Sequence, residues 1–185
     1  MAVEIVHAAS LVHDDLVDGD ATRRGRAAAW TWLSPRRAVL VADAMFATAL
    51  ERMALLGPRE AATLARALAA MARGALHEVL DVKAAHERII QWKTGSLFAA
   101  AARLGALAAD AQPALLEVAY EYGMRTGEAY QRADDLADAD AACLTHAEVS
   151  SLVEKAAAAL ARFPDNPHAR MLQQAPAAFV GAMVG

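Results

Sequence analysis

His13-Asp14-Asp15-Leu16-Val17-Asp18 and Asp134-Asp135-Leu136-Ala137-Asp138 carry three aspartates each, at one shared spacing. On a helix, Asp14 and Asp18 lie one turn apart on a common face with Asp15 flanking them, and the later cluster repeats the arrangement. Carboxylates crowded in this way repel each other and cost stability unless a cation sits among them. They offer hard oxygen ligands, which suit Mg²⁺ held by a few carboxylates plus substrate phosphates. A solvated acidic patch is the bland alternative. One such patch is ordinary, whereas two with identical spacing, each at the end of an apolar run, point to metal binding.

Cations follow the first cluster at once. Arg23, Arg24 and Arg26 lie in a glycine-containing loop just beyond Asp18. Guanidinium forks match phosphate oxygens, although the same arginines could be local counter-ions to Asp14–Asp20. With both carboxylate clusters, they suggest a Mg²⁺–diphosphate site, metal on the carboxylates and phosphate between metal and arginine. At about 100° per residue, His7, Ser10 and Leu11 share the face of Asp14 and would line a cavity wall below it. Gln131, Asp134, Asp135 and Asp138 likewise fall within an arc of roughly 100°. His7 and His13 flank the first cluster, but hard Mg²⁺ prefers oxygen, so structural roles are expected. Residue type alone makes Lys93 a surface lysine. His77, Glu78 and Asp81 read as polar cavity or surface residues, Trp30 and Trp32 as packing for the loop or a subunit contact. Met45, Phe46 and Met53 read as core, with Met45 or Phe46 a candidate cavity floor.

Helices must position these groups. Residues 2–18 form an apolar run without a start signal, as if the chain were entered mid-protein. Residues 19–35 read as a polar connection. Ser34-Pro35 reads as an N-cap with proline at the first helical position, opening a helix to about Leu56. Gly57-Pro58 opens a third, with Leu64, Leu68, Met71, Ala75 and Val79 on its apolar face. The pattern weakens near Lys83–His86; a fourth helix is expected over 87–109 and a fifth from Pro113 to about Asp138. Thr145-His146-Ala147-Glu148 is a capping box for a sixth. Phe163-Pro164-Asp165-Asn166-Pro167 ends it, and a short seventh closes the chain.

Composition narrows the field. Of the 185 residues 57% are hydrophobic, and about fifty of them are alanine, a helix former. Alternating and β-branched runs are scarce, so an all-α domain spanning 1–185 is expected. A net charge of −4 gives no support for nucleic-acid binding or an anionic membrane surface. Cys143 is the single cysteine, more plausibly a small packing residue than a reactive thiol, and no internal disulfide can form. Without a leader pattern or an apolar stretch of the ~18 residues a span needs, a soluble cytoplasmic location is expected.

Leu11–Asp18 followed by Thr22-Arg23-Arg24-Gly25 resembles the first aspartate-rich motif of trans-isoprenyl diphosphate synthases (polyprenyl synthetases). Lys93-Thr94-Gly95-Ser96-Leu97-Phe98 is similar to their lysine–threonine segment, and Gly127 with Tyr130–Asp138 to their second aspartate-rich motif. The resemblance covers roughly residues 3–138 and implies an isoprenoid-synthase-like helical bundle around a central cavity. It implies that Asp14, Asp15 and Asp18 coordinate Mg²⁺ on an allylic diphosphate, and that Asp134, Asp135 and Asp138 hold a further ion. It gives Arg23 and Lys93 to the allylic diphosphate and Arg24 to isopentenyl diphosphate. Thr94 and Gln131 would border the developing carbocation. Small residues at Ala9 and Ser10 would leave the cavity open to longer products. A homodimer is expected by the same analogy.

The sequence also departs from that family. No Gly-Lys-Arg segment for isopentenyl diphosphate precedes the first motif, so the chain reads as a truncated member lacking the N-terminal helices. Ala139–Leu144 replaces a glycine–lysine loop, and Arg132 stands where an apolar residue is usual. Three readings follow. The first is head-to-tail condensation of an allylic diphosphate with isopentenyl diphosphate. The second is terpene-synthase-like ionisation without isopentenyl diphosphate, against which the prenyltransferase type of the second motif argues. The third is an inactive fragment or partner subunit of a full-length synthase, for which both aspartate clusters would be needless.

Overall fold

A computed structural model describes residues 1–80, 86–137 and 145–184. Asp81, Lys83, Asp138 and Cys143, singled out in the sequence, lie outside the described residues. Among the described residues the fold is all-α apart from one small hairpin, and it divides into two compact units, Met1–Ala65 and Arg66–Gly185.

The first unit opens with α1 (Ala2–Asp18), whose N-cap Met1 makes no side-chain capping bond. Strands β1 (Thr22–Arg23) and β2 (Arg26–Ala27) pair antiparallel, and α2 (Ala29–Leu33) follows. This hairpin and short helix occupy what reads in sequence as a plain polar connection. Next, α3 (Pro35–Leu56) packs along α1. Its buried positions Ala38, Ala42 and Ala49 recur at helical spacing, as do Ala2, Val6 and Ala9 of α1. Alanine at such positions lets two helix backbones approach closely. Pro35 opens α3 as expected, but Ser34, at φ 76°, makes no side-chain cap bond. Met45, Phe46 and Met53 are half-buried rather than core.

α4 (Pro58–Val79) begins in the first unit and ends in the second. Leu64 is fully buried, Leu68, Met71 and Ala75 are half-buried, and Val79 is exposed, so the apolar face stops short of the helix end.

In the second unit the expected fourth helix is broken into three registers: α5 (His86–Ile90), a π-helical turn over Gln91–Gly95, and α6 (Ser96–Ala108). α7 (Pro113–Ala137) packs against the π turn, α6, α8 and α9. Contact on several sides explains its many buried positions, among them Leu116, Ala119, Tyr122, Thr126 and Ala133. α8 (His146–Ala159) carries the expected capping box. The Glu148 N–H donates to Thr145 Oγ1 at 3.3 Å and the Thr145 N–H to Glu148 Oε2 at 2.8 Å. The Thr145 N–H, and after it the Thr145 hydroxyl that donates to Glu148 Oε2 at 2.9 Å, hold the Glu148 carboxyl below its ordinary value, with Arg132 nearby adding a smaller pull. α9 (Pro167–Val184) is no short closing helix, because Pro176 sits inside it without ending it. Asn166 Oδ1 caps it by accepting from the Ala169 N–H at 2.9 Å.

Candidate functional site

In the first unit, the end of α1 sets the geometry. Gly19, at φ 74°, closes the helix and returns its N–H to the Asp15 carbonyl. The hairpin then turns on Arg24 (φ 51°) and Gly25 (φ 72°), so Arg23 pairs with Arg26. Two successive positive-φ residues make the mirror-image turn whose twist suits a tight hairpin. The Trp30 indole N–H donates to the Asp20 carbonyl at 2.7 Å and ties α2 to this loop. The result is a charge pair: Arg23 Nε donates to Asp15 Oδ1 at 2.5 Å. Asp15 is only 4% exposed. Arg23 is thus paired with the first cluster through Nε, one of its five N–H donors. Asp14 is half-buried, while Asp18, Arg24 and Arg26 are exposed.

Ser10 is half-buried and donates its hydroxyl to the His7 carbonyl at 2.9 Å. His13 meets Phe46 edge-on, with ring centroids 5.3 Å apart. Its Nε2 comes within 3.5 Å of Asp43 Oδ1 but makes no hydrogen bond. A structural role for His13 fits. Asp43 was not singled out by sequence, because a lone acid on the middle of α3 carries no pattern.

In the second unit, the π turn is the organising element. The Ser96 N–H reaches back five residues to the Gln91 carbonyl. Such a turn inserts one extra residue into a helix and re-aims the side chains it carries. Here it carries Lys93 and Thr94. On one side, α4 passes so close that a Cβ on Gly74 would lie 2.7 Å from Lys93 Cγ. Lys93 pairs with Glu78 of α4, and His77 leans on the Trp92 ring at 5.0 Å. On the other side, α7 crosses backbone to backbone. A Cβ on Gly127 would sit 2.7 Å from Gly95 Cα, and one on Gly123 would sit 2.4 Å from the Phe98 carbonyl oxygen.

That close crossing brings together three residues expected to act. The Thr94 hydroxyl donates to Gln131 Oε1 at 2.7 Å, and Gln131 Nε2 donates to Asp135 Oδ1 at 2.9 Å. Asp135 Oδ2 is buried without a hydrogen-bond partner among the described residues. His86 Nε2 stands 3.6 Å from it, too far to satisfy it. Sequence reading missed His86, which falls where the helical pattern fades. Asp134 is half-buried on the same helix, and Asp138 lies outside the described residues.

A buried carboxylate oxygen left unsatisfied costs free energy unless a cation or water meets it. Asp135 Oδ2 therefore fits a hard divalent ion. Among the described residues, no three acids or histidines converge closely enough to form a metal site by themselves. This suits an ion that takes most of its ligands from phosphate and water, as Mg²⁺ does.

The polyprenyl synthetase family model matches residues 1–145. The chain belongs to the polyprenyl synthetase family. It is 39% identical over 145 residues to heptaprenyl diphosphate synthase component 2 of Geobacillus stearothermophilus, covering 75% of this chain and 45% of that one. Nonaprenyl diphosphate synthase of Mycobacterium tuberculosis is 34% identical over 144 residues, covering 75% of this chain and 43% of its own. The chain thus spans less than half the length of these relatives. A polyprenyl synthase of Caulobacter crescentus CB15, solved with calcium and isoprenyl diphosphate, superposes with a TM-score of 0.86 at 28% identity. That match covers 98% of this chain and 77% of the other. The family match and these helical neighbours agree with the motif resemblance and the all-α expectation. Among the described residues, no helix is long and apolar enough to cross a membrane.

Proposed function

We propose that this chain is one partial isoprenoid synthase domain that condenses an allylic diphosphate with isopentenyl diphosphate to a longer polyprenyl diphosphate, with Mg²⁺. The observation that carries this reading is the hydrogen-bonded series Thr94–Gln131–Asp135, which joins the lysine–threonine segment to the second aspartate cluster. Support comes from the family match and from relatives whose names describe prenyl diphosphate synthases of several chain lengths. The calcium and isoprenyl diphosphate in the Caulobacter structure support a cation–diphosphate site.

In this reading Asp14, Asp15, Asp18, Asp134 and Asp135 provide the metal-binding charge, with Asp138. Bound Mg²⁺ supplies positive charge that stabilises the diphosphate leaving group. Arg23 and Lys93 bind the allylic diphosphate, and Arg24 binds the diphosphate of isopentenyl diphosphate. Lys93 must then trade Glu78 for phosphate. Thr94 and Gln131 present oxygen lone pairs where allylic positive charge develops. Ser10 lines the wall along the growing chain, where its small size leaves room, whereas Ala9 is fully buried. The protein works as a cytoplasmic homodimer in this reading; the word "component" in the Geobacillus relative's name makes a second, different chain worth testing.

The test is incubation with Mg²⁺ and each allylic diphosphate, with and without isopentenyl diphosphate, followed by product identification. Elongation only when isopentenyl diphosphate is present is expected. Release of terpene without it would replace this reading with ionisation and quenching. No turnover in either case would leave the chain as a fragment or partner subunit.

A further inference from the structure

We infer that Ser96 is a positioning residue for the reaction: its buried hydroxyl holds the π turn in the register that aims Lys93 and Thr94 at substrate. This rests on the roles given to Lys93 and Thr94 in the proposed function. Ser96 is uncharged and 4% exposed, so it acts through the backbone it holds.

In an α-helix the Ser96 N–H would meet the Trp92 carbonyl, four residues back. Here it passes over Trp92 and donates to Gln91, which opens the wider turn. The Ser96 hydroxyl then donates to the Trp92 carbonyl at 2.7 Å. A serine hydroxyl on the carbonyl four residues back is common in helices and adds little where the main-chain bond is kept. In this turn it takes the place of that main-chain bond. Its single proton has no equal alternative, because the Ala67 carbonyl of α4 stands 3.4 Å away, beyond the usual O–H···O range.

The surroundings leave the turn one way to move. On one flank Gly95 is seated on α7, where a Cβ would lie 2.5 Å from Met124 Sδ. On the other, α4 presses on the turn, since a Cβ on Gly74 would lie 3.1 Å from the Lys93 backbone nitrogen and 3.1 Å from Trp92 Cβ. A turn clamped on both sides cannot slide, but it can exchange hydrogen-bond partners. Without the hydroxyl the Trp92 carbonyl is short of a donor, and carbonyls within a packed crossing seldom stay unpaired. The backbone supplies one by returning the Ser96 N–H to Trp92. That ends the wide turn one residue earlier, and the side chains carried on it change direction. Lys93 then leaves Glu78, and the Thr94 hydroxyl leaves Gln131.

The test compares the full unaltered chain with Ser96→Ala and Ser96→Thr. Amide hydrogen exchange across 91–97 reads the turn, and steady-state kinetics with Mg²⁺, an allylic diphosphate and isopentenyl diphosphate reads the site. In Ser96→Ala the Gly95 and Ser96 amides should exchange about fivefold faster, the equivalent of one lost hydrogen bond. The KM for allylic diphosphate should rise about fivefold and kcat should fall, as Lys93 and Thr94 are both re-aimed. The KM for isopentenyl diphosphate should stay where it is, because Arg24 lies outside the turn. A chain merely loosened loses active enzyme, which lowers kcat and leaves both KM values alone. Threonine can bond the same carbonyl, so Ser96→Thr should stay within about twofold of the unaltered chain in both readouts. Unchanged exchange in Ser96→Ala would overturn the inference, as would equal rises in both KM values or a loss confined to kcat. If circular dichroism shows Ser96→Ala unfolded, Ser96→Thr decides. Exchange and allylic KM like those of the unaltered chain support the inference, while a raised KM or a second failure to fold assigns the position to packing and overturns it. Unaltered protein without turnover rejects the proposed function, and hydrogen exchange still decides whether Ser96 holds the turn.

Discussion

The Thr94 hydroxyl donates to Gln131 Oε1 at 2.7 Å, and this bond determines which way the Gln131 amide faces. With Oε1 taken as acceptor, Nε2 is left to donate to Asp135. One hydroxyl on the π turn therefore orders a carboxylate one helical turn beyond its partner. Thr94→Val keeps the shape and removes the donor. Its turnover should fall about tenfold, the kinetic equivalent of one ordinary hydrogen bond. Gln131→Glu should fall further, since it sets a carboxylate against Asp135. Steady-state rates with an allylic diphosphate check both.

Removing the metal is the blunt counterpart. Chelation should abolish turnover and added Mg²⁺ should restore it, while Asp14→Ala should show no Mg²⁺-dependent turnover at any concentration tested. Product formation by Asp14→Ala at the unaltered rate would take the first cluster out of the mechanism.

Gly127→Ala tests the crossing beneath the site. A Cβ 2.7 Å from Gly95 Cα has backbone as its obstacle, which no rotamer change relieves. The helices must part, at a cost of roughly 2 kcal/mol. The melting temperature should drop, and turnover should fall with it because Thr94 and Gln131 are drawn apart. An unchanged melting temperature would show that the crossing has slack.

Both carboxylate clusters and the arginine loop stand out in the sequence because their residue types are costly to place together without a purpose, whereas the lysine–threonine segment stands out only through its resemblance to the family. The capping box at Thr145 was legible because its two bonds are local. Asp43 and His86 were not, since each matters only through a partner distant in sequence. The hairpin was signalled by Gly25 alone; Arg24 at positive φ is a conformation arginine seldom adopts, and propensity argues against it. The π turn left no mark, because 86–108 has the composition of an ordinary helix. The length of α9 was underestimated because Pro176 reads as a breaker, yet it is fully buried within the helix.

Tyr122 gives a pH-dependent prediction. Burial pushes its phenol above the ordinary 10.0, against a smaller opposing pull from the Thr126 side chain. A folded value raised above the unfolded one contributes stability that is complete below about pH 10 and lost as pH climbs through the folded value. The phenol also donates to the Leu172 carbonyl at 2.7 Å, linking α7 to α9. Tyr122→Phe should cost about 1 kcal/mol at neutral pH and flatten the alkaline decline. Melting curves from neutral pH to beyond tyrosine ionisation would reveal the change, and an identical alkaline limb would remove Tyr122 as its cause.

The π turn has a genetic consequence. Five residues, Gln91–Gly95, occupy a wider loop of helix that one fewer residue would close into plain α-helix. Deleting a single codon there would close the bulge and leave the two flanking halves of the helix facing much as they do now, because the wider turn exists to absorb that one residue. Gly95 would keep its seat against Gly127, and the side chains carried on the turn itself, Lys93 and Thr94 among them, would be re-aimed away from Glu78 and Gln131. In this stretch an in-frame deletion of one residue is therefore more damaging to the site than most substitutions, although it breaks no helix.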